Sequence, residues 1–104
     1  MIIVTTDFVP GKEIKDLKGF VRGSTVQSKH IGRDITANLK TIVGGEIKGY
    51  TEMMNEARQK AIGRMEEHAK TKEANAIIAV RLETSAVMGA ASEIIAYGTA
   101  VQVE

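Results

Sequence analysis

The chain has 104 residues, 43% of them hydrophobic and 26% charged, which suits one domain with one small core. A chain this size buries only roughly 65% of its unfolded surface, so a metal or a partner subunit would help it considerably. With no cysteine, disulfides, zinc ribbons, thiol nucleophiles and thiolate-held clusters are excluded. Fourteen Lys and Arg against thirteen Asp and Glu leave a net charge of +1, which supplies no field to gather nucleic acid or anionic lipid. The four aromatic residues are Phe8, Phe20, Tyr50 and Tyr97 and there is no tryptophan, a poor endowment for a base-stacking platform. Neither a nucleic acid nor a membrane is therefore expected as a partner. Met1-Ile-Ile-Val lacks a basic leader and a long apolar run, so a cytoplasmic location is expected.

Residues 2 to 9, Ile-Ile-Val-Thr-Thr-Asp-Phe-Val, are mostly β-branched or aromatic and stop at Pro10-Gly11, which predicts a strand closed by a turn. A charged stretch follows, and from Phe20 to Gln27 alternation predicts a second strand. Gly23 inside it reads as twist relief, a bulge or a close backbone approach. Ile35, Leu39, Ile42 and Val43 recur at helical spacing, predicting a short helix from about Arg33 that ends at Gly44-Gly45.

A long helix is expected from Glu46 to about Lys72. Ile47, Tyr50, Met54, Ala57, Ala61, Met65 and Ala69 form one stripe, widened by Met53 and Ile62. Glu56 to Lys60 and Glu66 to Lys70 are i,i+4 pairs on its other side. The stripe is rich in alanine and methionine, which allows close approach to whatever lies opposite. Gly49 and Gly63 within it suggest close contacts or slight bending.

From Ala76 the period shifts to two. Ile78, Val80, Leu82, Ala86 and Met88 are expected on one face, and Ile77, Ala79, Arg81, Glu83, Ser85 and Val87 on the other. After a turn at Gly89-Ala-Ala-Ser, Ile95, Tyr97, Thr99, Val101 and Val103 alternate with Ile94, Ala96, Gly98, Ala100 and Gln102. Both faces of this last strand are rather apolar, unlike a half-solvated strand. One helix layer covers one side, so a neighbouring subunit is expected on the other, and Ala100 is assigned to that neighbour's side.

The chemistry on offer is sparse. His30 and His68 share no metal-binding spacing. His30 with Asp34 could place two ligands on one side of a helix, and a solvated connector histidine is the plain alternative. His68, late in the long helix, reads as a surface residue at a helix end that favours a cation. Gly44-Gly45-Glu46 could form an anion-holding nest or simply a helix C-cap. No GxSxG and no partnered serine-histidine set is present, and Arg81 with Glu83, alternating on one strand face, reads as part of a charged interface or cavity or, as the plain alternative, as an ion pair between subunits.

Ile31-Gly32-Arg33-Asp34, the block Ile42-Val-Gly-Gly-Glu-Ile-Lys-Gly-Tyr-Thr-Glu, Ala57-Arg58, the run from Ala74-Asn-Ala to Thr84-Ser85, and Tyr97-Gly-Thr-Ala-Val closely resemble the YbjQ family of small prokaryotic proteins over essentially the whole chain. The resemblance implies an α+β subunit like that of dodecin, two layers deep. An antiparallel sheet would carry one short and one long helix, and the subunit would assemble into a ring, a homopentamer. The family carries a heavy-metal-binding label. No family ligand motif maps onto this chain, so a metal would need hard oxygen donors such as Asp34 and Glu46.

The resulting expectation is a ring-forming protein that binds a metal ion or small ligand at subunit boundaries near residues 28 to 52, through Arg33, Asp34, Gly44, Gly45 and Tyr50. Two other readings compete. One is a pure scaffold in which Arg33 and Asp34 pair across the boundary. The other is a small-molecule hydrolase using Asp34, Glu46 and Glu52.

Overall fold

The computed structural model describes residues 1–27, 42–43, 46–87 and 91–104. Its strands are β1 (Ile2–Ile3), β2 (Ile14–Gln27), β3 (Ile42–Val43), β4 (Glu46–Ile47), β5 (Ala76–Val87) and β6 (Ala91–Val103), with a helix α1 (Lys48–Thr71) between β4 and β5. A four-stranded sheet in the order β1-β5-β6-β2 carries α1 on one face. The class is α+β as expected, but the sheet is mixed rather than wholly antiparallel, because β1 runs parallel to β5.

The long helix follows from its stripe. Met54, Ala57, Ala61, Met65 and Ala69 are all buried, and Met53 and Ile62 pack beside them. At its C-terminus Glu73 adopts a left-handed φ of 59°. Glu73 N–H donates to Lys70 O at 3.0 Å and Ala74 N–H to Ala69 O at 3.2 Å, the paired bonds of a Schellman cap. Lys70 pairs with Glu67 at 3.4 Å rather than with Glu66, which lies 3.9 Å from the N-terminal amine.

The small stripe lets α1 descend onto β2 and β6, where it meets Val21, Ile94, Ala96 and Ala100. Closest approach is at Gly23. A Cβ there would overlap Met65 N and Ala61 O and lie 2.7 Å from Arg64 C, so close backbone approach, not twist relief, explains this glycine. Gly63 is different, since a Cβ added to it meets nothing within 4 Å.

Several expectations are corrected. Only Ile2–Ile3 of the first predicted strand pairs as a strand. The chain then runs on beside β5, through bonds from Val80 N–H to Val4 O at 3.0 Å and from Ala79 N–H to Thr6 O at 2.7 Å. β2 starts at Ile14, six residues before the predicted position. Ile42 and Val43 pair with Ile47 and Glu46 as a two-strand ladder, so they do not close a helix; the rest of the predicted short helix lies outside the described residues.

In β5 the register slips between Ile78 and Arg81, and Ala79 takes a left-handed φ of 54°. Two consecutive N–H groups, of Ala79 and Val80, thus point to the same side, as in a β-bulge. The bulge exchanges the predicted faces. Ile77 and Val80 join the helix-side core, with Leu82 opposite Ala96 on that side, while Ile78, Arg81 and Glu83 lie on the outer face opposite Thr99, Tyr97 and Ile95.

β6 alternates as predicted, but the assignment of its sides is corrected. Ala100 is fully buried under α1 and cannot meet a neighbouring subunit. The outer face is also partly covered from within the chain, because Val9 packs with Ala76, Ile78, Val101 and Val103, joined by Ile2 and Val4. Asn75 locks this end, donating Nδ2–H to Val103 O and accepting Val103 N–H at Oδ1, both at 2.8 Å.

Candidate functional site

The uncovered remainder of the outer face is built by three strands in register. Phe20 lies opposite Thr99, Arg22 opposite Tyr97 and Ser24 opposite Ile95 on one side of β6. Arg81 and Glu83 of β5 flank Tyr97 and Ile95 on the other side. The rings of Phe20 and Tyr97 are tilted by 38° with centroids 6.4 Å apart, within the range of favourable aromatic pairs. The two belong to different strands and meet only through the β2–β6 register.

Tyr97 Oη donates to Glu83 Oε1 at 3.0 Å. This bond to a carboxylate, then desolvation, then the Glu83 charge, raise the phenol above its ordinary value against the opposing pull of Arg81. Tyr97 therefore serves as a donor and not as a base at neutral pH. Arg81 turns away, donating from Nη1 to Thr5 O at 3.0 Å and Val80 O at 2.8 Å. The two charges predicted as an ion pair between subunits thus both have partners within their own chain.

Around this polar centre lies apolar surface. Ile14, Leu17, Phe20 and Val26 of β2 are exposed, Leu17 to 70% and Phe20 to 60%. Their register partners are Val103, Val101, Thr99 and Glu93, so all four sit on the outer face. All four are large apolar side chains left open to solvent on one strand.

His68 acts in the fold. Its Nδ1 accepts Arg22 N–H at 3.2 Å, and Arg64 Nη1 donates to Ser24 O at 2.6 Å. These side chains of α1 satisfy outward-facing backbone groups of β2, an edge strand that would otherwise present them to other chains. Of the residues singled out from sequence, Tyr50 falls in the first turn of α1 and Glu52 is exposed further along it. His30, Arg33, Asp34, Gly44 and Gly45 lie outside the described residues. Phe20 and Glu83 were not read as partners of Tyr97, because the pairing depends on strand register.

Among the described residues the donors do not fit a heavy metal. The chain has no cysteine, the Nδ1 of His68 is already bonded, and among the described residues no group of three or more His, Asp or Glu could hold an ion. Soft metals favour thiolate and imidazole donors. Among the described residues no helix is long and apolar enough to cross a membrane.

Comparison with known proteins gives a consistent answer. A family model described as "Putative heavy-metal-binding" matches residues 1–104. The UPF0145 protein BH0643 of Halalkalibacterium halodurans is 66% identical over 104 residues, covering 100% of this chain and 98% of its own. UPF0145 protein VP1283 of Vibrio parahaemolyticus is 60% identical over 102 residues, covering 98% and 97%. A crystal structure of a protein of unknown function of the DUF74 family from Pediococcus pentosaceus superimposes with a TM-score of 0.65 at 20% identity, covering 100% of this chain and 98% of that one. That likeness concerns the fold alone. With a family match along its whole length and relatives this close, the chain belongs to the YbjQ family, the UPF0145 proteins.

Proposed function

We propose that the chain is the subunit of a cytoplasmic, ring-shaped homo-oligomer, a pentamer, whose work is binding rather than catalysis, with a metal ion or small ligand taken at subunit boundaries near residues 28 to 52. The observation that carries the reading is surface. Ile14, Leu17, Phe20 and Val26 stand exposed along the outer face of β2, large apolar side chains of the kind that a neighbouring subunit buries.

A second reading, a scaffold with no ligand, is favoured by the donor chemistry: no thiolate in the chain and no cluster of candidate ligands among the described residues. One measurement separates the two. A native mass spectrum of untagged protein purified without chelator is expected to show five subunits with additional mass. Five bare subunits would favour the scaffold, and a single subunit would overturn both readings. Arg33→Ala and Gly45→Val should then remove the additional mass while leaving the ring intact.

A further inference from the structure

One of the two side chains that close the edge of β2 is a histidine, and the bond it makes fixes its state. Arg22 N–H meets Nδ1 of His68 at 3.2 Å. A backbone amide only donates, so Nδ1 keeps its lone pair, the ring proton sits on Nε2, and the imidazole is neutral. Histidine ordinarily changes charge between about pH 5 and 8, and in the cation both ring nitrogens carry hydrogen. Two N–H groups would then face each other, and the bond cannot form. We propose that His68 is a pH-sensitive latch, tying the C-terminal half of α1 to the edge of β2 when neutral and releasing it when protonated.

The neighbouring tie answers acid differently. Arg64 donates from Nη1 to Ser24 O at 2.6 Å, two residues along the same edge. A guanidinium is always charged and always a donor, so this bond holds across the whole range in which histidine titrates. Between the two ties lies Gly23, where helix and strand meet backbone to backbone. Release of His68 therefore frees the edge at Arg22 while Gly23 and Ser24 stay held. The opening is local, and it leaves the core contacts of Ala57, Ala61 and Met65 with the sheet in place.

The charges around the latch come mainly from its own helix. Arg64 and Lys72 stand four residues to either side, on the same face. Glu67 is bonded to Lys70 at 3.4 Å, and Glu66 lies 3.9 Å from the N-terminal amine. From β2 come Arg22 itself and, nearer the start of the strand, Lys18 paired with Asp16 at 3.1 Å. The titratable residues of β5 and β6, namely Arg81, Glu83, Glu93 and Tyr97, lie on the opposite face of the sheet, and Glu46 of β4 stands before the other end of α1. Among the described residues no carboxylate pairs with His68. The protonated ring thus gains no acceptor in place of the bond it gives up.

Imidazole nitrogen-15 shifts and amide hydrogen exchange, measured on the native protein near pH 8 and near pH 5, test the latch. Near pH 8 the shifts should report His68 with its proton on Nε2. Near pH 5 the protection of the Arg22 amide, corrected for the intrinsic rate, should fall by about 5-fold or more. The amide of Val21, which faces β6, should not change and serves as the internal standard. His68→Asn places an uncharged Oδ1 where Nδ1 stood and should keep Arg22 protected at both pH values, whereas His68→Leu should leave it unprotected at both. A proton on Nδ1 near pH 8, an Arg22 amide indifferent to pH, or an equal fall in His68→Asn would overturn the inference. If neither variant folds, the tautomer and the exchange of the parent decide. None of these outcomes bears on the oligomeric reading, which mass alone tests.

Discussion

The two faces of the sheet are finished to different degrees. Under α1 the helix face is closely packed: fully buried Ala57, Ala61, Met65 and Ala69 meet fully buried Val21, Ala96 and Ala100, and at Gly23 backbone meets backbone. The outer face is sealed at one end by Val9 over Val101 and Val103 and is open elsewhere, with Leu17 and Phe20 mostly exposed. The contrast separates what the subunit needs in order to fold from what it presents to something else. Substitutions on the first face should change stability, and those on the second should change association.

The largest effect is expected at Gly23→Ala. Its Cβ has no room against the backbone of α1, so the helix must move off the sheet, and a loss of more than about 3 kcal/mol is expected by denaturant unfolding. Asn75→Ala should cost about 1–3 kcal/mol in the same measurement, because Val103 loses both partners. Gly63→Ala, in open space within α1, should raise stability by about 0.5–1 kcal/mol, which tests whether the tightness is confined to the sheet side of the helix.

On the open face, Leu17→Ser with Phe20→Ser should shift subunit unfolding by less than about 0.5 kcal/mol yet lower the molar mass measured by light scattering. The smallest effect is spectroscopic. The raised phenol of Tyr97 places the stabilising contribution of its bond to Glu83 fully on the neutral side, to be lost as the pH climbs through the folded-state value. Ultraviolet difference titration should show Tyr97 ionising above the ordinary phenol range, and Glu83→Gln should lower that midpoint.

What was legible in the sequence follows the same division. The long helix announced itself because five buried positions recur at helical spacing, and β6 because its alternation is unbroken. β5 was misread on account of Ala79: an alanine in a left-handed conformation gives no signal of the kind glycine or asparagine gives, and one extra residue exchanges every later face. Ala100 was placed toward a neighbour because two apolar faces of a strand look alike until the helix chooses one. Gly23 admitted three explanations, and only the position of Met65 and Ala61 decides among them.

The outer site was illegible for a different reason. Phe20, Glu83 and Tyr97 are separated in sequence, and their contact exists only through the pairings of β2 and β5 with β6. His68 reads as a surface group late in α1, whereas it and Arg64 reach the edge of β2.

Assembly through the surface that the subunit leaves open is the central claim, and the molar mass in solution tests it most directly. Light scattering on untagged protein over a dilution series should give a constant five-fold multiple of the 11.2 kDa subunit mass; a mass of one subunit throughout would contradict the account.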